Sequence, residues 1–298
     1  MKQPRYTVQQ FHRQFKDNKT CLLHLFETHH GHKACPKCGE KGKYHLQADT
    51  SHFVCQCGKH QISPKAGTIF EKSDTDLVKW YFAIFLMSQS RNGVAAKEIE
   101  RHTGVTYKTA WRMAKEIRKM MDDPPTLQTG EVEADETWIG GRKDPRRKNA
   151  KKTIVFGSVQ RKGKVQAQVV KDVTEESLLH PIRSNVAKGS LLLTDQLRAY
   201  RNIAHIEGYG HETVKHQHKE YRKGNAYTNT IEGFWSQLKR SLDGTYHVIS
   251  PKYLPLYLGE FAFRYNYARD PSFHLFDFLL SRVGLPHVLA VQRIASCR

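Results

Sequence analysis

Residues 131–139 read Glu131-Val132-Glu133-Ala134-Asp135-Glu136-Thr137-Trp138-Ile139, and here the chain changes to strand-like runs separated by turns. Two further strand-like runs follow at 153–160 and 165–173, and Arg-Lys-Gly-Lys at 161–164 predicts a hairpin turn between them. A helical stretch (175–186), an apolar strand (191–195) and a short strand near 213–216 come next. Strands followed by alternating helices and strands predict an α/β domain.

Carboxylates are concentrated on two of these strands. Four acids crowd the first strand, namely Glu131, Glu133, Asp135 and Glu136, and Asp195 ends the apolar strand. An acid at the end of a buried strand lies at an edge where a site can form, whereas an acid in mid-strand would incur a large cost of burial. Asp195 and the acids of the first strand are therefore candidate site residues.

A strongly amphipathic helix is predicted over residues 228–242. Its packing face consists of Ile231, Phe234, Trp235, Leu238 and Leu242. A second stripe, also at spacings of three and four, consists of Asn229, Glu232, Ser236 and Lys239. An acid, an amide and a cation thus lie on one side of the helix. A solvated polar face is the alternative interpretation.

Four cysteines form two close pairs, Cys35-Pro36-Lys37-Cys38 and Cys55-Gln56-Cys57. Such spacing is typical of a zinc ribbon, although the second pair has one intervening residue instead of the usual two. We predict structural Zn²⁺ bound by Cys35, Cys38, Cys55 and Cys57 in an N-terminal segment of residues 1–72. His52 and His60 are alternative ligands, and four thiols without a metal are the remaining interpretation.

Residues 73–123 are predicted to form a helical module that ends before the paired prolines Pro124 and Pro125. Two stretches, 94–101 and 106–118, flank a turn at Gly104 and have the proportions of a helix-turn-helix. Thr106, Lys108 and Arg112 would begin or line the second helix and contact DNA. An ordinary helical hairpin is the alternative.

The balance of charge also points to nucleic acid. Lys and Arg number 48 against 29 Asp and Glu, which gives a formal net charge of +19. A basic run after the first strand, including Arg146, Arg147 and Lys148, is predicted to hold phosphates, with a solvated loop as the alternative.

The longest apolar run, 81–87, is too short for a bilayer core that needs about twenty residues, so we expect a cytoplasmic protein without a membrane partner.

Together these segments resemble the DDE transposases of bacterial insertion sequences, in the group with an N-terminal zinc ribbon and an ISXO-like transposase domain. The resemblance spans nearly the whole chain, and the order and spacing of its short strings are highly specific. The strings are the four ribbon cysteines, Gly67-Thr68-Ile69-Phe70, residues 132–141, Leu193-Thr194-Asp195-Gln196-Leu197-Arg198-Ala199-Tyr200, residues 228–235, Lys239 and Phe263-Arg264-Tyr265-Asn266.

The resemblance implies a ribonuclease H-like catalytic domain, a mixed sheet with flanking helices, over residues 128–270, and a C-terminal helical tail over 271–298. It implies that Asp135, Asp195 and Glu232 are the catalytic acids and hold two Mg²⁺ or Mn²⁺ ions. Lys239 would contact a DNA phosphate, and Asn229 is a further catalytic candidate because relatives use Asn in this region. The implied partner is double-stranded DNA, both element ends and target, bound by a homo-oligomer at the bacterial nucleoid.

The expected activity is metal-dependent cleavage at terminal inverted repeats, followed by strand transfer through in-line phosphoryl transfer. Two other functions stay open: a catalytically silent or domesticated DNA-binding regulator, and a ribonuclease H-like nuclease that cuts without joining. The complete set of Asp135, Asp195 and Glu232 favours an enzyme over a regulator. Glu133, on the same strand face as Asp135, is expected to be dispensable.

Overall fold

The computed structural model describes residues 6–47, 51–141, 152–205, 208–213, 228–268, 270 and 274–284. Its internal contacts divide the chain into two compact units. The first comprises Met1–Met120 and Pro271–His287, and the second comprises Met121–Asp270 and Val288–Arg298. The ribbon, the helical module and the first part of the C-terminal tail are three segments in the sequence analysis. Here they are grouped in one unit.

The first unit begins with two helices, α1 (Val8–Gln14) and α2 (Asn18–His29). Thr7 and Asp17 cap their N-termini, because each side chain accepts a hydrogen bond from a backbone amide of the first turn. A three-stranded antiparallel sheet follows, with strands β1 (Tyr44–Leu46), β2 (Phe53–Cys55) and β3 (Gln61–Ile62). One cysteine pair precedes β1, and the other lies where β2 ends.

Three helices come next, α3 (Leu77–Gln89), α4 (Ala96–Thr103) and α5 (Tyr107–Met120). The helix-turn-helix proportions are present, with α4 and α5 each displaced by one or two residues from the predicted bounds. Gly104 explains where α4 ends, since it adopts φ +67°, a left-handed conformation that favours glycine at the end of a helix.

The second unit contains a five-stranded mixed sheet, and so the predicted α/β class is confirmed. Its strands are β4 (Glu131–Ile139), β5 (Thr153–Gln160), β6 (Val165–Val170), β7 (Leu191–Thr194) and β8 (Gly210–Thr213), in the order β6-β5-β4-β7-β8. The first three pair antiparallel, and β7 pairs parallel with both β4 and β8. The short strand predicted near 213–216 begins earlier, and residues 214–216 lie outside the described residues.

Helices cover both faces of this sheet. On one face, α6 (Glu175–Asn185) packs Leu178 and Ile182 against Val132 and Phe156. On the other, α7 (Asn229–Ser241) and α8 (Leu254–Tyr267) pack against residues of β5 and β6. That second cluster contains Val155, Val159, Val165, Ile231, Phe234, Trp235, Leu238, Leu258 and Phe261. The packing face predicted for α7 is therefore the face that it buries.

The string at 263–266 has a structural explanation. Asn266 pairs with the edge strand β6, because the backbone amide of Val165 donates to its Oδ1 at 2.8 Å and its Nδ2 donates to the Val165 carbonyl at 3.1 Å. Arg264 forms a buried ion pair with Glu260, Nη2 to Oε1 at 2.7 Å. The Asn266 pair fixes α8 to the sheet, whereas the Arg264–Glu260 ion pair lies within α8.

The last described helix, α9 (Leu275–Ser281), belongs to the first unit. Its Phe276 packs in an aromatic cluster with Phe11, Phe15 and Phe85. The remainder of the predicted C-terminal tail, 285–298, lies outside the described residues. In the part of the chain that the structure describes, no helix has the length and apolar character that crossing a membrane requires.

Candidate functional site

The parallel neighbours β4 and β7 bring Asp135, in the middle of β4, close to Asp195, which follows β7. Parallel pairing aligns Glu131 with Leu191 and Glu133 with Leu193, and the same register two residues further sets Asp135 beside Asp195. Asp195 directly follows β7, and its Oδ1 accepts a hydrogen bond from the Leu197 amide at 2.9 Å. The two acids therefore lie just beyond the last pair of β4 with β7, Glu133 with Leu193, at the carboxyl end of β7, where parallel strands form ligand sites.

Glu136 is a third carboxylate at this point, and the sequence analysis did not select it. Carboxylate oxygens of Asp135, Glu136 and Asp195 all lie within 4.8 Å of one another. Glu136 is 8% exposed and accepts a hydrogen bond from the Tyr200 hydroxyl at 2.9 Å.

Burial and repulsion from neighbouring carboxylates raise the pKa values of Asp135 and Glu136. Burial, followed by the charge of Asp195, raises the pKa of Asp135 to about 6. Burial also raises the pKa of Glu136 to about 7, with the charges of Asp195 and Asp135 adding to the effect. Among the described residues, none of the three acids forms an ion pair with Lys or Arg. Such a crowded set of oxygens suits a hard divalent cation.

Helix α7 contacts Asp135 directly. The indole Nε1 of Trp235 donates a hydrogen bond to Asp135 Oδ2 at 3.0 Å. Gly157 of β5 is paired with Asp135, and a Cβ at Gly157 would lie 2.5 Å from the Trp235 ring. The glycine thus leaves the space that the ring occupies.

Glu133 anchors the start of the same helix and is fully buried. Its carboxylate accepts hydrogen bonds from the Thr230 amide and hydroxyl, each at 2.8 Å, from the Ile231 amide at 3.1 Å and from Arg161 Nε at 3.2 Å. A carboxylate at a helix N-terminus is stabilised by the free amides there. These contacts give Glu133 a structural role, and the expectation that activity does not require it stays a prediction.

The predicted stripe of α7 is exposed. Glu232 Oε1 accepts a hydrogen bond from Thr228 Oγ1 at 2.9 Å, and its charge contributes to the raised pKa of Asp135. Glu232 does not belong to the 4.8 Å group of oxygens. Asn229 and Lys239 are exposed, and neither is bonded to the acids within the described residues. The structure therefore brings carboxylate oxygens of Asp135 and Asp195 within 4.8 Å of each other, with Glu232 nearby.

The four predicted zinc ligands converge. The Sγ atoms of Cys35, Cys38, Cys55 and Cys57 lie within 4.8 Å of one another, with Cys35 to Cys57 at 3.9 Å and Cys38 to Cys55 at 3.7 Å. Zinc–sulfur bonds of about 2.3 Å place tetrahedral thiolates about 3.8 Å apart, so the set fits Zn²⁺. The alternative ligand His60 instead contacts the Tyr44 hydroxyl through Nδ1 at 2.7 Å.

The predicted DNA-contacting residues occupy the start of α5. The Thr106 hydroxyl accepts a hydrogen bond from the Thr109 amide at 3.3 Å and so caps the helix. Lys108 is exposed, and Arg112, also exposed, donates from Nη2 to the Glu71 carbonyl at 3.2 Å. Arg146, Arg147 and Lys148 lie outside the described residues.

Residues 127–266 match the family model described as the ISXO2-like transposase domain. A protein of transposable element ISH50 from Halobacterium salinarum is 24% identical over 258 residues, covering 80% of this chain and 87% of the relative. A transposase-like protein of Haemophilus influenzae is 31% identical over 105 residues, covering 35% of this chain and 83% of the relative. Both relatives are described as uncharacterized.

Among solved structures, the chain is similar to one in a cryo-EM structure of the simian T-cell lymphotropic virus intasome in complex with PP2A regulatory subunit B56 gamma. The identity is 16% and the TM-score 0.30, and the match covers 59% of this chain and 64% of that chain.

Proposed function

Because the chain belongs to the ISXO2-like transposase family, we propose that it cuts the ends of its own insertion sequence and joins them to target DNA. The observation that carries this proposal is the meeting of Asp135, in the middle of β4, with Asp195, directly after β7, and the position of Glu232 on α7 near Asp135. Three acids from separate elements suit metal-dependent phosphoryl transfer.

The order of the strands supports a ribonuclease H-like fold for this unit. Counted from β4, the sheet runs third, second, first, fourth, fifth, with the first three strands antiparallel and the last two parallel to the first. The proposed acids then fall on the first strand, at the end of the fourth and on the helix that follows the sheet.

Asp135, Asp195 and Glu232 are the residues that would hold two Mg²⁺ or Mn²⁺ ions. Their oxygens are the ligands that these hard cations prefer. A bound cation would offset the burial and the repulsion that together raise the pKa of Asp135. When bound, the two ions activate the attacking oxygen and stabilise the leaving oxygen of an in-line displacement. Glu136 lies close enough to contribute an oxygen to the same site.

The exposed stripe of α7 positions the DNA. Lys239 follows Glu232 by two helical turns, about 10 Å along the axis, and as a compact point charge it contacts a backbone phosphate. Asn229 offers an amide one turn before Glu232. A water or a 3′-hydroxyl attacks phosphorus as the bond to the leaving 3′-oxygen breaks. The attacking oxygen gives its proton to solvent and the leaving oxygen takes one up, so the protein forms no covalent bond with DNA.

The remaining parts of the chain supply affinity for DNA. The zinc-bound ribbon and the α4–α5 module recognise the element ends, and the basic run at 146–148 holds phosphates. With a net charge of +19, the chain is suited to a long polyanion, and copies assemble on it.

The test uses the purified full chain and a labelled duplex that carries an element end. Asp135→Asn, Asp195→Asn and Glu232→Gln should each lower Mg²⁺-dependent nicking and strand transfer by on the order of a thousandfold while end binding persists. Glu176→Gln, an acid-to-amide change at an exposed position of α6, is the matched control and should retain activity.

Each alternative function has its own outcome in this assay. Wild-type protein that binds ends without cutting is a regulator, and protein that cuts without joining is a nuclease. A Glu232→Gln variant with wild-type activity would remove Glu232 from the set and point to Asn229.

A further inference from the structure

Trp235 is a nearly buried residue that touches the proposed catalytic centre. It is 4% exposed, and its Nε1 is 3.0 Å from Asp135 Oδ2. The sequence pattern explains Trp235 only as part of the packing face of α7. A purely apolar contact would not require an indole N–H directed at a carboxylate.

Two contacts hold the ring in place. Gly157 lies beneath it, where any side chain would enter the ring volume, since a Cβ would lie 2.5 Å from both Cζ2 and Cη2. Phe234 packs against it with ring centroids 5.1 Å apart. Because the register pairs Gly157 with Asp135, the indole crosses β5 and reaches the acid on β4.

Resting on the proposed metal-dependent function, we propose that Trp235 is a positioning residue that orients the Asp135 carboxylate for the divalent cation. Partners of metal ligands fix ligand orientation, and their loss commonly costs ten- to a hundredfold in metal affinity or activity. Trp235 donates to one oxygen and thereby fixes the plane of the carboxylate. Gly157, which has no side chain, leaves space for the Trp235 ring.

The first experiment needs no catalysis. The chain has four tryptophans, so protein labelled with ¹⁵N-tryptophan is expected to show four indole N–H resonances. Removing tryptophans one at a time as Trp80→Phe, Trp111→Phe and Trp138→Phe assigns Trp235 by elimination. Added Mg²⁺ should shift the Trp235 resonance in wild-type protein and leave it unchanged in Asp195→Asn.

The second experiment separates the hydrogen bond from packing. Trp235→Phe retains an aromatic ring over Gly157 and removes the N–H, so it should lower the rate of Mg²⁺-dependent nicking ten- to a hundredfold or raise the Mg²⁺ requirement by that factor. Trp138→Phe is the matched control, because Trp138 is on the same strand as Asp135, is 43% exposed and makes no hydrogen bond within the described residues. It should stay within about twofold of wild type.

The outcomes distinguish this inference from the proposed function. A Trp235→Phe variant with the wild-type rate and Mg²⁺ dependence would overturn the positioning role, as would an unmoved Trp235 resonance at Mg²⁺ concentrations that support nicking. A resonance that shifts in a wild-type protein unable to nick or join DNA would support the positioning role and contradict the transposase activity.

Discussion

Glu133 accepts hydrogen bonds from both the backbone amide and the hydroxyl of Thr230, each at 2.8 Å. This contact joins the strand that carries Asp135 to the first turn of the helix that carries Glu232. Trp235 adds a second link one turn later. The separation between Asp135 and Glu232 therefore depends on the contacts of Thr230 and Trp235, which precede and follow Glu232 on α7.

Glu133→Ala should destabilise the second unit by about 3–5 kcal/mol, because it removes a buried acceptor shared by a helix N-terminus and Arg161. Glu133→Gln, which keeps one oxygen, should be milder. Denaturant unfolding measures both. Glu131→Ala, which removes the more exposed partner of Arg161, is the control and should cost under about 1 kcal/mol. An unchanged unfolding midpoint for Glu133→Ala would contradict the anchoring role.

Glu136→Gln should raise the Mg²⁺ concentration needed for half-maximal nicking, with a smaller loss of rate than Asp135→Asn. The reason is that Glu136 shares the 4.8 Å group of oxygens, while Tyr200 already engages its carboxylate. A Mg²⁺ titration of the nicking rate measures the change. Glu131→Gln, on the same strand and outside the group, should leave the Mg²⁺ dependence as in wild type. Equal Mg²⁺ dependence of the Glu136→Gln and Glu131→Gln variants would contradict a role of Glu136 in binding the metal.

Purified protein should contain about one zinc per chain, and Cys35→Ser or Cys57→Ser should release it and unfold the ribbon. In small metal modules, metal-binding energy is folding energy. Elemental analysis and circular dichroism measure the two effects. Cys21→Ala removes a buried thiol outside the cluster and should retain zinc. Zinc-free native protein with four freely titratable ribbon thiols would exclude the site.

DNA affinity should fall steeply with salt, with a log–log slope of about −0.9 for each phosphate neutralised. Charge reversal at Arg146, Arg147 and Lys148 should reduce that slope and leave the preference for element ends intact, whereas Lys108→Ala should weaken the preference. Fluorescence anisotropy with end and random duplexes at several salt concentrations measures both. If the charge reversal abolishes the preference for element ends and leaves the salt slope unchanged, the basic run contacts bases and not phosphates.

Gly157→Ala should destabilise the protein by about 1–3 kcal/mol, because the new methyl group would enter the volume of the Trp235 ring. Gly233 on α7 is the matched control, since a Cβ there meets nothing within 4 Å. Gly233→Ala should be neutral or stabilise the helix by up to about 1 kcal/mol. Thermal unfolding measures the midpoints of the two variants. Equal midpoints would contradict close packing of the Trp235 ring against Gly157.

Local patterns predicted much of this architecture. The hairpin at 161–164, the apolar strand β7 and the faces of α7 follow from periodicity and turn chemistry, and parallel register then places Asp195 beside Asp135. The contacts that sequence reasoning missed join residues 97 to 100 positions apart, namely Glu133 with Thr230 and Ile231, and Asp135 with Trp235. A pattern within one element carries no information about such partners. Glu136 was missed because neighbouring strand residues point to opposite faces.

The pairing of Asn266 with Val165 has a consequence for how copies of the chain can meet. An edge strand normally offers its unpaired amides and carbonyls to any passing strand. Here a side chain already occupies both groups of Val165, at the start of β6, so an incoming strand would lose that pair of bonds. Extension of the sheet by a strand added at the start of β6 is thereby disfavoured.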